Sequence, residues 1–588
     1  MKVREEISDS FKLNISLIFK CVEDWEKEYK SIQDLLIEYR SIGKDESISS
    51  SSLLRLIKFK ELIEKRFEKL YGYSLILLDI EKTNKKALLL MEKSEQLYEE
   101  VLDSLVNIEK ALSTISLEEF SNLSKGLPEL ELYENYFLNL ASNKDLLESY
   151  NGILLDAFQA PEKNYTLLNN DFTFKDIKDS EGNIISVGLD NYFNYLMNND
   201  RGVRKASFDS LMETYIQYGN TITNLLMSDI KNKHYLANKH NKNSYLELVL
   251  EQDGINLEIF NNLISNIRNN VSSLHEFMKY KKTELGVNNI GWFDMFFSTS
   301  QKTDVNYSFK EACDIARESF KYFGKSYQII FDMILEEKWI DVLPNRGKER
   351  GAYTFNIYER NPFVLMNFTG QTDDVFNLVH EVGHAIQHFY TNKKQPYTYS
   401  QFSDILGEFF ALLNENLLFE YLDNMATTKT EEKYFLNNWL ERFRGFVFRQ
   451  SMYSDFEVKL HSIIENGEVM IPEDISEIYM HLLSEYYGTS LKVDKNLKYE
   501  WLKNPNFFDS FYSYRYVMGF LLSVTVAQKI IDGKIPVENI LKGMEAGSSQ
   551  SFTSVMKILE IDLFSSQYIL DAIEIFNRKF KRLNELCK

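Results

Sequence analysis

Most of this chain repeats apolar residues at the spacing of α-helices. Between residues 18 and 150, apolar side chains recur three or four positions apart, as at Ile32, Leu35 and Leu36. The same period returns over residues 189–284 and 309–337. Because this spacing places apolar groups on one face of a helix, we predict a mainly α-helical protein.

Two short regions follow the period of β-strands instead. Phe172–Phe174 and Ile184–Val187 flank the turn residues Glu-Gly-Asn at 181–183, which predicts a small hairpin. Tyr353–Tyr358 and Phe363–Phe368 predict a second pair of strands. A serine cluster that ends at Ser52 predicts a loop followed by the start of a helix.

Composition narrows the class of protein. The 588 residues are 44% hydrophobic and 14% aromatic, which indicates a folded chain rather than a disordered one. Only 8 prolines and 24 glycines interrupt the pattern, which favours long helices. A net charge of −20 argues against a nucleic acid or an anionic membrane as partner.

Targeting and disulfide signals are weak. The charged start lacks the apolar core of a signal peptide, and no apolar run approaches the roughly 20 residues that span a bilayer. Cys21, Cys313 and Cys587 are too few and too scattered for a disulfide framework. We therefore expect a cytoplasmic protein without membrane contact.

The strongest chemical signal is the segment His-Glu-Val-Gly-His at residues 380–384. In a helix, His380 and His384 lie one above the other, and two imidazoles so placed can bind one Zn²⁺. Glu381 points about 100° further round, close to the metal, where a general base can take a proton from the attacking water. The motif predicts a zinc hydrolase, most simply a peptidase.

Two histidines leave a zinc site one protein ligand short. On the next predicted helix, Asp404, Glu408 and Glu415 lie at offsets of four and seven and share one face. Glu408 and Asp404 are both candidate third ligands. Glu415 is a candidate to accept a hydrogen bond from the second nitrogen of an imidazole. Gly383 and Gly407 would let the two helices approach closely.

Three further features of the sequence lie outside the predicted metal site. His388 lies towards the end of the helix, so we do not expect it to bind metal. The strand that begins at Tyr353 could hold an extended peptide along its free edge, although an ordinary structural hairpin explains it equally well. Tyrosines within residues 507–516 could donate to an oxyanion, or they could pack as an aromatic core.

Taken in order, these motifs resemble oligoendopeptidase F, of the thimet oligopeptidase superfamily. The resemblance covers nearly the whole chain. The matching segments are Phe11–Asn14, Asp200–Lys205, Trp339–Val342, Gly351–Tyr353, Asp374–Phe376, His380–His384, Gln395–Tyr397, Gly407–Glu408, Asn414–Glu415 and Gly547–Ser549.

The resemblance implies a set of functional residues. His380, His384 and Glu408 would hold one Zn²⁺ per chain, with Glu381 as general base. Substrates would be short peptides that are cleaved internally. The oligomeric state is not indicated.

The resemblance also implies an architecture. It is a mainly helical, two-lobed, zincin-like fold with a small β-sheet beside the H-E-x-x-H helix and a deep substrate channel. Residues 1–190 would form an N-terminal helical lobe, and residues 191–588 would form the catalytic domain.

One departure from the family pattern concerns the substrate side of the site. Relatives carry His in a Pro-His-Phe-Tyr segment, where this chain has Asn506. That histidine is thought to stabilise substrate and oxyanion. By resemblance Tyr514, and after it Tyr512, are candidate oxyanion donors, while Tyr353 and Asn506 are candidate substrate contacts.

The leading hypothesis is a zinc-dependent endopeptidase that acts on short oligopeptides. One alternative is a peptide-binding protein of the same fold whose catalysis is impaired by Asn506. Another is a helical zinc carboxypeptidase, since such enzymes also use H-E-x-x-H.

Overall fold

The computed structural model of this protein describes residues 2–41, 49–142, 152–298 and 306–587. Helices dominate these residues, as predicted. In the serine cluster, the Ser49 hydroxyl accepts a hydrogen bond from the backbone N–H of Ser52 and caps the following helix; the rest of that loop lies outside the described residues. No helix in the described ranges is both long enough and apolar enough to cross a membrane.

The first half of the chain contains twelve helices and one hairpin in its described part. They are α1 (Val22–Ser41), α2 (Ser50–Ile80), α3 (Lys85–Ser113), α4 (Leu117–Lys125), α5 (Glu134–Ser142), α6 (Gly152–Asn170), β1 (Ile177–Lys178), β2 (Ile184–Ile185), α7 (Tyr192–Leu196), α8 (Arg201–Gln217), α9 (Gly219–Lys239), α10 (Tyr245–Gln252), α11 (Leu257–Asn269) and α12 (Ser272–Glu284).

The second half adds a small sheet and further helices. They are α13 (Phe309–Ser319), α14 (Lys325–Glu336), β3 (Ile340–Asp341), β4 (Tyr353–Phe355), β5 (Phe363–Leu365), α15 (Thr372–Lys394), α16 (Asp404–Met425), α17 (Lys429–Phe443), α18 (Gln450–Glu465), α19 (Pro472–Tyr487), α20 (Ser513–Ile531), α21 (Val537–Met544), α22 (Phe552–Ile558) and α23 (Gln567–Leu586).

The chain forms two compact units, each assembled from three separate segments. The first unit consists of residues 1–150, 304–421 and 526–561, and the second of residues 151–303, 422–525 and 562–588. This grouping does not follow a single cut in the sequence. The boundary expected between residues 190 and 191 therefore stays a prediction.

In the first unit, one hydrophobic core runs from the N-terminal helices to the sheet. Trp25 and Ile32 of α1 and Leu70 of α2 are buried in the same cluster as Phe363 and Leu365 of β5. The indole N–H of Trp25 donates to the carbonyl of Leu70. The N-terminal helices thus support the sheet directly.

The sheet of the first unit has three strands in the order β3–β5–β4. Strand β4 pairs antiparallel with β5, with Thr354 opposite Val364, and β3 pairs parallel with β5. The predicted pair of strands is confirmed, and β3 was not expected because two residues give no readable period. Since β5 is central, β4 is an edge strand.

Two buried helices follow the sheet. Helix α15 begins at Thr372, and the Asp374 carboxylate caps it by accepting from the backbone N–H groups of Thr369 and Gln371. Most of α15 and α16 is buried because both helices carry apolar residues on nearly every face. The helix predicted around the H-E-x-x-H motif is confirmed.

The second unit contains the hairpin, and here the expected first strand is wrong. Residues 177–178, rather than Phe172–Phe174, pair with β2. The reason is the turn: the Asp179 carboxylate accepts from the backbone N–H groups of Glu181 and Asn183, and Gly182 has φ +86°. This tight turn starts the pairing directly at Lys178 and Ile184.

Candidate metal centre

Three side chains of the first unit converge where α15 and α16 meet. One donor atom each from His380, His384 and Glu408 lies within 4.8 Å of the other two. The Nε2 atoms of the two histidines are 3.2 Å apart, and His380 Nε2 is 3.9 Å from Glu408 Oε2. We call these three residues the donor cluster.

The donor cluster fits a small divalent cation. Ligands at about 2.0–2.1 Å in tetrahedral geometry lie about 3.3 Å from one another, compared with 3.2 and 3.9 Å for the two pairs that include His380. Burial, and then His380 and His388, lower the pKa of His384, which keeps its imidazole neutral. Burial raises the pKa of Glu408, opposed by His380. A bound cation would stabilise the ionised carboxylate, because opposite charges favour the charged form.

Glu415 holds one of the imidazoles in place. Its Oε1 lies 2.7 Å from His380 Nδ1, and its side chain is buried. Since a carboxylate oxygen accepts, Nδ1 carries the proton and Nε2 keeps its lone pair for a metal. This is the contact expected from the seven-residue offset between Glu408 and Glu415.

The other polar residues near the motif stay outside the donor cluster. Asp404 is exposed and acts on Glu408 only by raising the pKa of that carboxyl further. The His388 ring packs against Phe402 at 4.4 Å, and burial lowers its pKa to about 3. His388 is not part of the donor cluster.

Small residues let the two helices approach closely. A Cβ atom on Gly383 would lie 3.2 Å from Ala411 Cα and 2.8 Å from the side-chain nitrogen of Asn414. Asn414 is fully buried and accepts a hydrogen bond from the Tyr327 hydroxyl at 2.9 Å. Gly407 faces His384 and Phe402 in the same way. The predicted close approach is confirmed.

Glu381 lies beside the donor cluster and contacts the sheet. The Thr354 hydroxyl lies 2.8 Å from Glu381 Oε2, and the carboxylate is only 7% exposed. Burial raises the pKa of Glu381, while His380 and the Thr354 hydroxyl act in the opposite direction. A carboxyl with a raised pKa beside a metal-ligand cluster has the properties of a general base.

Tyr353, the candidate substrate contact, is held by the N-terminal part of the first unit. Its hydroxyl donates to Asp79 Oδ2 at 2.6 Å. Burial, and then this carboxylate, raise its pKa. The backbone of its strand remains at the sheet edge, so a peptide could pair with that edge while the Tyr353 side chain stays in place.

The remaining candidates belong to the second unit, in the segment 506–516, which we call the tyrosine segment. Tyr514 is fully buried, and its hydroxyl donates to the Asp253 carboxylate. Tyr512 is half-buried and packs edge-on against Tyr516 with ring centroids 5.1 Å apart. Of these two candidates, Tyr512 is the more exposed residue.

The middle of the tyrosine segment has an unusual backbone. Phe511 has φ +64°, a conformation that costs a bulky residue free energy and needs support from its surroundings. The buried Glu457 carboxylate accepts from the Phe511 N–H at 2.7 Å. Lys233 donates to the carbonyl of Phe508 and to the Ser510 hydroxyl. Asn506 is half-buried just before this turn.

Two supporting residues were missed by sequence reasoning. Thr354 and Asp253 each contact a candidate functional group across at least 27 positions of chain. Only Thr354 left a usable signal: in a strand, its side chain must point to the face opposite Tyr353 and Phe355.

A mainly helical chain with an H-E-x-x-H helix, a third donor on the following helix and an edge strand beside the glutamate has the features of a metal-dependent peptidase. The chain belongs to Peptidase family M3, whose family profile matches residues 194–575.

Individual relatives agree with this assignment over the full chain. The sequence is 29% identical to Oligopeptidase PepF of Bacillus subtilis, over 99% of this chain and 88% of the relative. It is 30% identical to the chromosomal Oligoendopeptidase F of Lactococcus lactis subsp. cremoris, over 100% and 98%.

Solved structures agree as well. Oligoendopeptidase-F from Enterococcus faecium matches with a TM-score of 0.75 at 25% identity, over 96% of this chain and 99% of that one. A structure from Chlamydophila abortus matches with a TM-score of 0.88 at 26% identity, over 100% of both chains. The expected resemblance to oligoendopeptidase F is confirmed.

Proposed function

We propose that this protein is a zinc-dependent endopeptidase that cleaves internal bonds of short oligopeptides. The observation that carries the proposal is the donor cluster, with the Glu381 carboxylate beside it on the same helix. The names of the relatives, which are oligopeptidases and oligoendopeptidases, support the choice of peptides as substrates.

We propose one Zn²⁺ per chain, held by His380, His384 and Glu408. Two imidazoles and one carboxylate are a donor set that zinc accepts in catalytic sites, where one position stays open. When bound, the ion would polarise the scissile carbonyl and lower the pKa of a water molecule. Glu415 would fix the orientation and tautomer of His380 for this purpose.

Glu381 then moves the proton. Its carboxylate takes a proton from the water as the water oxygen attacks the carbonyl carbon. The same carboxyl group gives that proton to the leaving amine nitrogen as the C–N bond breaks, so the residue ends in its starting form. The burial of Glu381 favours this exchange. Burial raises the pKa of the carboxyl group and so brings it closer to the pKa of the groups with which it exchanges the proton.

Substrate contacts are proposed for an edge strand of the first unit and, separately, for residues of the tyrosine segment. The edge of β4, at Tyr353, would pair with the peptide backbone. Tyr512 and Tyr514 are proposed oxyanion donors by family resemblance, and Tyr512 is preferred because its side chain is partly exposed, whereas Tyr514 is fully buried. Asn506 would contact substrate where relatives carry His.

The proposal is tested by digesting a mixed peptide library with the zinc-loaded protein and identifying the products by mass spectrometry. We expect internal cleavages that a chelator prevents and that zinc restores. Glu381→Gln should keep zinc and lose cleavage. Retained cleavage by Glu381→Gln would contradict the mechanism, and release of single C-terminal residues would favour a carboxypeptidase.

A second candidate is a peptide-binding protein with impaired catalysis. Asn506, in place of the family His, favours it, since loss of one oxyanion donor costs about 2.7–4 kcal/mol of transition-state stabilisation. Binding of peptides without chelator-sensitive turnover would support this candidate. Asn506→His should then restore turnover without changing the zinc content.

A further inference from the structure

The strand beside the metal centre is fixed from one side by the N-terminal helices. Tyr353 donates to Asp79 at the end of α2, and a Cβ atom on Gly72 of α2 would lie 2.5 Å from the Phe355 ring. Both side chains therefore lie against α2. Because successive residues of a strand alternate, Thr354 faces the opposite side, towards α15.

On that side, the Thr354 hydroxyl has two oxygen atoms within reach. Glu381 Oε2 is 2.8 Å away and the Glu381 backbone carbonyl is 2.9 Å away. The hydroxyl has one proton to donate. The backbone carbonyl is already an acceptor in the helix, and a hydrogen bond to an ionised carboxylate is stronger. The proton therefore goes to Oε2.

This hydrogen bond leaves one carboxylate oxygen for chemistry. Among the described residues, no hydrogen bond joins Glu381 Oε1 to another protein group. The hydrogen bond to Oε2 restricts the rotation of the Glu381 carboxylate about its terminal bonds. Because the carboxylate is planar, fixing Oε2 also fixes the direction of Oε1. Thr354 thus connects the edge strand, of which it is part, to the Glu381 carboxylate.

We propose that Thr354 is a positioning residue whose hydroxyl holds the Glu381 carboxylate in the orientation required for proton transfer. This inference rests on the proposed function, in which Glu381 is the general base. It also links two parts of the site: the strand that would pair with the substrate backbone is the strand that orients the base.

The test compares Thr354→Val with Thr354→Ser. Valine has the shape of threonine without the hydroxyl, and serine keeps the hydroxyl without the methyl group. We expect Thr354→Val to lower kcat by roughly tenfold to a hundredfold, because small misplacements of catalytic groups cost about that much. KM should change less than about twofold, since the lost contact acts in the transition state. Thr354→Ser should recover most of kcat, with equal zinc content in all three proteins.

Thr391→Val is the matched control. Thr391 is fully buried in the same helix, and its hydroxyl donates to the carbonyl of Met544 at 2.7 Å. The control loses a comparable hydrogen bond away from Glu381. It should lower Tm while leaving kcat unchanged.

A readout without metal or substrate comes from thermal unfolding of the apo-protein. Thr354→Val should lower Tm in the wild-type background and change it much less in a Glu381→Leu background, because the partner is then already absent. Equal Tm losses in both backgrounds would overturn the contact.

The outcomes separate this inference from the proposed function. If wild type cleaves peptides, Glu381→Gln does not, and Thr354→Val equals wild type in kcat, the positioning role is wrong and the general base stands. A fall in kcat that Thr354→Ser fails to restore would also overturn it. If wild type cleaves nothing, both proposals fail.

Discussion

In the first unit, the donor cluster is carried by two helices, and its members are close in sequence: four positions separate His380 from His384, and Glu408 follows on the next helix. In the second unit, the tyrosine segment is held by residues hundreds of positions away, with Asp253 bound to Tyr514 and Lys233 bound to Phe508. Helical spacing places the donors on two successive helices, and the close packing of these helices brings them together. The second depends on tertiary contacts that hold a strained backbone.

The largest expected effect belongs to the donor cluster. Glu408→Ala should lose stoichiometric zinc and lower peptide cleavage by roughly a thousandfold or more, because the metal contributes several kcal/mol to the transition state. Asp404→Ala, on the same face of α16, should keep both zinc and activity. Metal analysis and cleavage assays on the two variants decide between them. Loss of zinc in Asp404→Ala, with zinc retained in Glu408→Ala, would show that Asp404 is the third ligand.

How well the sequence predicts these two regions depends on how far apart in sequence the contacting residues are. The helix around the motif follows from the period of an α-helix. The close approach at Gly383 and the bond between Glu415 and His380 also need the next helix to fold back, which the short turn and the small residues between two successive helices made predictable. No spacing rule connects Tyr514 with Asp253, which is 261 positions earlier. The first hairpin strand was misplaced because the turn at Asp179, rather than the apolar pattern, sets its register.

The next effect tests the tyrosine segment. Tyr512→Phe should lower kcat by about a hundredfold, as expected for loss of an oxyanion donor. Tyr514→Phe should lower Tm more and kcat less, because it removes a buried donor from the Asp253 carboxylate. Steady-state kinetics and thermal unfolding of both variants provide the comparison. The reverse order in kcat would restore Tyr514 as the principal donor.

A smaller effect concerns the support of the donor cluster. Glu415→Ala should weaken zinc binding by about tenfold to a hundredfold, the usual cost of losing the carboxylate that orients a metal-ligand histidine. Competition with a chromogenic chelator measures the Kd. Glu420→Ala, a carboxylate variant later on the same helix, is the control and should leave zinc affinity unchanged. Unchanged affinity in Glu415→Ala would mean that packing alone orients His380.

The smallest effect on activity is expected at Glu457, which accepts the hydrogen bond from the Phe511 N–H in the tyrosine segment. Its effect on stability should be clear. Glu457 is 2% exposed, and burial raises its pKa to about 8, with Lys233 acting in the opposite direction. An unfolded glutamate has a pKa near 4.3. Between these two pKa values the folded state binds more protons than the unfolded state. The contribution of Glu457 to stability is therefore greatest at low pH and falls as the pH rises towards 8.

Glu457→Gln keeps an acceptor for the Phe511 N–H but cannot ionise. Its Tm should therefore fall less than that of wild type between pH 6 and 9, and over that range the difference in unfolding free energy should be at most about 3 kcal/mol. The kcat at neutral pH should stay close to wild type, because the neutral acid and the amide present the same acceptor oxygen to the backbone. If the Tm values of wild type and Glu457→Gln change in parallel with pH, Glu457 is already ionised at neutral pH. The support of the tyrosine segment would then be a charged contact, like the bond between Glu415 and His380 in the donor cluster.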